Sequence, residues 1–166
     1  MAKRKIDAHL QSTPLTGIVR TLGTHPSLSV KDLAARVADL TITLTGGRAG
    51  SPAIATFSVV LNIAVAANET AELIDEALAS RGTPATRMAK GYVFKNVKFT
   101  EPGQAAARVF RITNIRANAT TLSGGSAAGA TPVVASISIS GSTPSPLRLS
   151  DARQVVALVP SKAITK

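Results

Sequence analysis

Six basic residues in the second half of the sequence are the clearest candidates for binding chemistry. They alternate along the chain with four aromatic residues, and the ten positions are Lys90, Tyr92, Phe94, Lys95, Lys98, Phe99, Arg108, Phe110, Arg111 and Arg116. Proteins that bind single-stranded nucleic acid stack bases on exposed rings above a basic groove, so the pattern raises polyanion binding as a hypothesis. Strand parity favours a plainer interpretation. If Tyr92 and Phe94 face one side of a strand, Phe99 faces the other, so at least one ring belongs to a core and the cations form a solvated sheet face.

The charge of the chain is concentrated in the same half. The formal net charge is +10, and residues 1–80 hold seven Lys or Arg against seven Asp or Glu, whereas residues 81–166 hold twelve against two. A field of this kind attracts nucleic acid, acidic polysaccharide or an anionic surface without choosing among them.

Side chains that commonly carry catalysis are few and badly spaced. The chain has no Cys, and its two histidines, His9 and His25, have no carboxylate or nucleophile at a spacing that suggests a triad. The acidic cluster of Glu72, Asp75 and Glu76 has donors for a divalent cation, but on a helix it would form a solvated face. The glycine-rich segment 46–50 lacks the Gly-Lys-Ser/Thr of a phosphate loop, which favours a hairpin loop. The sequence therefore predicts a non-enzymatic protein with no catalytic, cofactor or metal site.

The elements that would position these residues are mostly strands. Apolar and polar residues alternate with period two in several segments bounded by Gly, Pro and Ser turns. The predicted strands cover 17–22, 40–45, 54–66, 92–99, 108–117, 131–140 and 154–159. Helices do not recur between them, which favours an all-β fold over a βαβ fold. We predict an antiparallel β-sandwich of six to eight strands with one or two short helices.

Two segments of the sequence carry signals that are typical of helix starts. Ser29 and Asp32 have capping-box spacing ahead of apolar residues at helical intervals, which predicts a short helix over 30–39, with an extended lead into the next strand as the alternative. Thr70 followed by acidic residues predicts a helical insertion at about 70–81, with a long hairpin loop as the alternative.

Residues 1–28 are interpreted as an extended basic and polar arm with few core residues, and 29–166 as one sandwich domain.

Two sequence stretches resemble a known group of proteins. Val109–Ala119 reads VFRITNIRANA, Val133–Gly141 reads VVASISISG, and Pro102-Gly103 forms a turn before the first of them. Over about 90–160 the chain resembles uncharacterised secreted β-rich proteins of soil bacteria of acidobacterial type. The resemblance implies an extracytoplasmic β-domain of unknown function with no catalytic residues to carry over.

The favoured function is a non-catalytic structural or adhesive β-domain outside the cell or on its surface. An arm rich in β-forming residues could pair with the open sheet edge of a neighbouring copy, which predicts a homo-oligomer or filament built by strand exchange. The alternative is a coat-type or nucleic-acid-associated structural protein whose basic C-terminal half, including the six cations, faces an anionic polymer. Neither a cleavable signal peptide nor a transmembrane helix is predicted, since the longest apolar run, near 59–67, is too short to span a bilayer.

Overall fold

The structure is a computed structural model that describes residues 14–66, 71–76, 82–121, 131–142 and 145–160. Within these residues the chain is almost entirely β-strand, and the helical content is one 3-10 turn, Ala119–Thr121. In chain order the strands are β1 (Leu15–Thr21), β2 (Ala35–Arg36), β3 (Leu40–Gly46), β4 (Pro52–Leu61), β5 (Glu72–Asp75), β6 (Thr83–Pro84), β7 (Thr86–Arg87), β8 (Gly91–Thr100), β9 (Gly103–Thr113), β10 (Arg116–Ala117), β11 (Thr131–Ser142), β12 (Leu147–Ser150) and β13 (Arg153–Val159). The predicted all-β class is confirmed.

Two sheets form the body of the protein. A six-stranded sheet has the order β12-β1-β3-β9-β5-β6, and a five-stranded sheet has the order β13-β11-β4-β8-β7. Every pair of neighbours is antiparallel except β1 and β12, which run parallel. The ring of Phe57 in the five-stranded sheet lies 5.0 Å from the ring of Phe110 in the six-stranded sheet, so the sheets pack face to face as a sandwich.

The core follows from the period-two pattern. In β3, Leu40, Ile42 and Leu44 are buried while the threonines between them point to the outer face. Successive side chains of a strand project to opposite faces, so alternation places every second residue between the sheets. Complete burial of an aliphatic side chain stabilises the fold by about 1.5–3 kcal/mol, and the core contains buried residues from both sheets in one cluster.

A bulge in β8 resolves the parity conflict between its aromatic residues. Ala55 pairs with Val97 and Phe57 pairs with Phe94, so Lys95 and Asn96 together lie opposite a single residue of β4. Asn96 takes a left-handed backbone conformation with φ of 55°, which Asn tolerates better than most residues. The extra residue shifts the alternation by one position, and Phe94 and Phe99 therefore both point into the core.

The predicted N-terminal arm is corrected for residues 14–28. β1 lies inside the six-stranded sheet, pairing with β3 over seven residues and with β12 over four. Leu15 and Val19 are fully buried, and Leu28 is also in the core. The prediction underestimated this segment because the two buried apolar residues of β1, Leu15 and Val19, suffice when both edges of the strand are paired. Residues 1–13 lie outside the described residues.

The same segment closes an edge of the other sheet. The amide of Leu28 donates to the carbonyl of Leu158, and the amide of Leu158 donates to the carbonyl of Pro26. The amide of Ala38 donates to Val156 O in the same strand. Residues 26–38 therefore supply backbone partners to β13 on the side away from β11, so less of this sheet edge is exposed.

The helix predicted over 30–39 is wrong. The capping contacts do form, since Ser29 N donates to Asp32 Oδ2 at 3.0 Å, but they close only one turn. Leu33, which the helical spacing assigned to the core, is 66% exposed. The amide of Val37 instead donates to the carbonyl of Ile115. Pairing with distant strands has outweighed the local helix signal.

The helical insertion predicted at about 70–81 is also wrong where the structure describes it. Glu72–Asp75 forms β5, which pairs with β9, and Leu73 is 1% exposed. A helix would have placed Leu73 and Ile74 on one side, whereas the strand turns only Leu73 into the core. β5 supplies the backbone partners for the free edge of β9. Residues 70 and 77–81 lie outside the described residues.

Candidate binding surface

The structure divides the six predicted polyanion-binding residues between different parts of the sandwich. Arg108 and Arg111 lie on β9 in the six-stranded sheet, and Arg116 lies on β10, which pairs with β2 in a separate two-stranded sheet. Lys95 and Lys98 lie on β8 in the five-stranded sheet, and Lys90 immediately precedes that strand. The six side chains therefore do not form one continuous patch.

The three arginines are engaged with their own chain. Arg108 Nη2 donates to Asp75 Oδ2 at 2.5 Å, and both side chains are largely buried, with 18% and 9% exposure. Arg111 Nε lies 3.2 Å from Glu76 Oε2. Arg116 Nη1 donates to the carbonyl of Ala34 at 3.1 Å, and its Nε donates to the Asn114 side chain. These contacts join β9 and β10 to β5, to the turn after it and to the residue before β2, so the guanidinium groups have structural roles.

All five aromatic rings of the protein are in the core. Phe57, Tyr92, Phe94 and Phe110 are fully buried, and Phe99 is 5% exposed. Phe99 packs edge-on against Phe110 with ring centroids 5.5 Å apart. Base stacking of the kind used by single-strand binders requires exposed rings, so these aromatics stabilise the sandwich instead.

The outer face of the five-stranded sheet carries a set of hydroxyl groups that are not among the residues predicted from the sequence. We call it the hydroxyl face and define it by Thr56 and Ser58 on β4 and Ser136, Ser138 and Ser140 on β11. Ser58 pairs directly with Ser138, and Thr56 pairs with Ser140. Their strand neighbours, such as Phe57 and Ile137, are buried, which directs the hydroxyl groups outward. None of the five hydroxyls is bonded to another described side chain, so each keeps its donor and acceptor. The signal was available as the Ser-x-Ser-x-Ser repeat of β11, but only strand pairing shows that β4 continues it.

Cations and two apolar side chains border the hydroxyl face. Lys98 pairs with Ile54, and Arg153 pairs with Ser136, so both cations share the outward side. Lys95 projects from the bulge opposite Thr56 and is exposed. Ile54 and Val60 are 42% and 48% exposed. The five strands of this sheet contain no Asp or Glu within their described bounds. This surface is therefore both hydroxylated and positively charged.

Comparisons with known proteins give limited matches. No family model matches the sequence, and no curated protein matches it. Among solved structures, the chain is similar to the pilus backbone RrgB of Streptococcus pneumoniae, with 15% identity, a TM-score of 0.44 and coverage of 77% of this chain and 31% of that one. A full-length structure of the RrgB pilus protein gives 14% identity and the same TM-score over 81% of this chain and 23% of that one. The chain thus spans less than a third of the length of these structures.

The acidic cluster predicted on a helix is divided between the two faces of β5 and the turn that follows it. Asp75 points into the interlayer space, where it binds Arg108, and Glu76 lies beside Arg111 on the outside. Asp39 adds a second contact to Arg111, with Nη1 and Oδ2 3.9 Å apart. These carboxylates neutralise arginines of the six-stranded sheet, and in the described ranges no three His, Cys, Asp or Glu side chains come together as a metal site requires.

The glycine-rich segment connects the two sheets and is not the hairpin loop that was predicted. β3 and β4, which flank it, belong to different sheets, and Gly46, Gly47 and Gly50 have positive φ values. A side chain at Gly47 would lie 2.6 Å from Glu101 Oε1, so the close approach requires glycine.

Glu101 anchors this crossover from inside the protein. The side chain is 2% exposed and accepts hydrogen bonds from Arg48 N at 2.8 Å and Ser145 Oγ at 2.9 Å. The carboxylate thus ties the β3–β4 connection to the residue that precedes β12. A buried carboxylate requires such donors, and here they come from two separate loops.

Across the described part of the chain, no helix has the length and apolar character needed to cross a membrane.

Proposed function

We propose that this chain is a non-catalytic structural domain of an assembly on the outside of the cell, and that it holds its outer sheet faces toward binding partners. The observation that carries the proposal is the use of its least exposed charged side chains. Glu101, Asp75 and Arg108 are each bound by groups of the chain itself, and each contact joins segments distant in sequence. Groups held in this way stabilise a scaffold and are not free to act on a substrate.

The arrangement of the strands supports the same role. β1 lies inside the six-stranded sheet between β12 and β3, and the backbone of residues 26–38 supplies partners to β13, an edge of the other sheet. Covering the β13 edge lowers the tendency to unintended edge-to-edge association there. The wide outer surfaces of the sandwich then become the regions available for contacts. The resemblance of residues 90–160 to secreted bacterial β-proteins supports the extracellular part of the proposal.

Surface exposure provides the direct test. Intact cells that produce the full chain with an epitope tag are treated with an external protease, and a cytosolic protein serves as the control. We expect loss of the tagged chain while the control survives. Protection of the chain until the cells are lysed would overturn the extracellular assignment.

Self-assembly by strand exchange is a finer proposal with a defined structural requirement. The described part of the N-terminal segment must leave β3 and β12 before it can pair with another copy. The neighbouring copy offers the same partners, so the exchange is nearly neutral in contacts, and its rate depends on how readily β1 detaches. Light scattering before and after a brief exposure to mild denaturant tests this. We expect oligomers chiefly after that step, and a monomer at all concentrations in both samples would exclude strand exchange.

A further inference from the structure

We propose that the hydroxyl face, together with its flanking cations, binds an acidic polysaccharide, meaning a linear polymer rich in hydroxyl groups that carries carboxylate or sulfate charges. This inference rests on the proposed function, since it names the partner of an outward sheet surface. The residues involved differ from the six cations chosen from the sequence, because only Lys95 and Lys98 are shared between the two sets.

The first argument is the geometry of the hydroxyl groups. Ser58 and Ser138 form one row across β4 and β11, and Thr56 and Ser140 form the next row. Rows on one face of a sheet repeat at about 7 Å, and neighbouring strands lie about 4.8 Å apart. The hydroxyls therefore form a regular array of donors and acceptors. Such an array suits a polymer that presents hydroxyl and carboxylate groups at regular intervals along an extended chain.

The second argument is charge complementarity. Lys98 borders the array on the β8 side in the row of Ile54, and Arg153 borders it on the β13 side in the row of Val60 and Ser136. Lys98 and Arg153 lie three strand spacings apart across the sheet and six residues apart along it, which places them roughly 25 Å from each other. Neither cation forms an ion pair with a described residue. An anionic polymer that crosses the array diagonally therefore meets a cation at each end and Lys95 on its way.

The third argument favours a polysaccharide over a nucleic acid. Sequence-tolerant nucleic-acid binders gain a large part of their affinity from bases stacked on exposed rings, and every ring of this protein is buried. The cations are also widely spaced, whereas phosphates along a nucleic acid are dense and favour clustered Lys and Arg. Hydroxyl groups at the centre with cations at the margins match a polymer whose charges are interspersed with neutral hydroxyls.

The test uses the purified full chain with alginate, a linear polyuronate, as the probe. Neutral dextran and a single-stranded oligodeoxynucleotide serve as comparison ligands, and binding is measured by titration at two salt concentrations. We expect alginate to bind more tightly than either comparison ligand and to lose affinity as salt rises. Absence of alginate binding at low salt, or equal or tighter binding of the oligonucleotide, would overturn the inference.

Two pairs of variants separate the specific surface from general attraction to a basic protein. The double substitution Lys98→Gln with Arg153→Gln removes both flanking cations, and Arg20→Gln with Arg148→Gln removes the same charge from exposed positions of the opposite sheet. We expect the first to weaken alginate binding by roughly fivefold and the second by less than about twofold. Equal losses from both doubles would show non-specific attraction and overturn the inference.

A charge-neutral pair tests the hydroxyl groups themselves. Ser58→Ala with Ser138→Ala should lower the affinity severalfold while the salt dependence stays the same, whereas Thr43→Ala with Ser150→Ala on the opposite sheet should have little effect. An unchanged affinity in the first pair would remove the hydroxyl array from the site and overturn the inference as stated. If the binding experiments fail but the chain is exposed on the cell surface, only the polysaccharide inference is overturned and the proposed structural function stands. If the chain is found inside the cell, the proposed function is overturned whether or not alginate binds.

Discussion

Deletion of Asn96 tests whether the bulge in β8 sets the inward and outward sides of that strand. The bulge lets Phe94 on one side of it and Val97 and Phe99 on the other all face the core. Lys95 and Asn96 share a single partner residue on β4, so deleting Asn96 leaves a regular strand in which Lys95 alone lies opposite Thr56. Phe94, Val97 and Phe99 are then separated by even numbers of positions and still all face the core.

The expected effect of this deletion is small. No core side chain turns outward, and removing the left-handed residue returns at most about 1 kcal/mol, so the free energy of unfolding should stay within about 1 kcal/mol of the parent value. Deletion of Lys98, which pairs with Ile54 outside the bulge, shortens the strand equally but does break the alternation. Phe99 turns outward if the bulge is kept, and Val97 turns outward if the bulge is lost. These residues are 5% and 6% exposed, and exposing either one costs about 1.5–3 kcal/mol in lost burial.

Urea unfolding followed by circular dichroism measures the effect, with two point variants for calibration. Asn96→Gly keeps the bulge and tolerates its φ of 55°, so its unfolding midpoint should stay near that of the parent chain. Asn96→Val keeps the residue count but places a β-branched side chain in a left-handed conformation, which should cost about 1–2 kcal/mol. An Asn96 deletion that destabilises the fold as much as the Lys98 deletion would refute the parity argument.

Three further predictions concern groups that join distant segments. Glu101→Ala should lower the free energy of unfolding by about 2–4 kcal/mol, because it removes the acceptor of the hydrogen bonds from Arg48 N and Ser145 Oγ. Glu101→Gln keeps an acceptor oxygen and should lower it by less. Urea unfolding measures both variants. Asp75→Leu and Arg108→Met should each destabilise the fold by a few kcal/mol, on the order of 3, and the double variant should lose less than the two singles together. A double-mutant cycle with additive losses would contradict this. Removing residues 1–21 should cause aggregation measurable by light scattering, relative to a chain lacking only 1–13, because β3 and β12 lose their shared partner.

The sequence was sufficient to predict the fold class and most of the long strands. The segments 40–45, 92–99, 131–140 and 154–159 alternate clearly and coincide with β3, β8, β11 and β13 within two residues. Period-two burial is a local property, so it can be recognised without knowing the partner strand. The same property explains the overlong strand predicted over 54–66, since apolar residues continue after β4 ends at Leu61.

The failures share a different physical cause. The strand predicted over 17–22 overlaps β1, but its place inside a sheet was missed, and β5 and the segment after Ser29 were predicted as helices. Each of these segments adopts its place because a distant strand offers free backbone groups. The capping contacts of Ser29 form as the local signal predicts, but pairing with distant strands replaces the helix that should follow them. Which of the six candidate cations are free and which are paired could not be predicted for the same reason, because Arg108 meets Asp75 only through the sheet order.

Carboxylates are distributed unevenly between the two sheets. The described acids that meet arginines, Asp39, Asp75 and Glu76, all lie on or beside the six-stranded sheet. They compensate Arg108 and Arg111 of that sheet, while its exposed Arg20 and Arg148 form no ion pair with a described residue. Lys95, Lys98 and Arg153 have no carboxylate in their own sheet. A net charge alone would attract a polyanion to any side. Because both sheets expose arginine, the proposed preference of an anionic polymer for one side depends on the hydroxyl rows that lie beside these three cations.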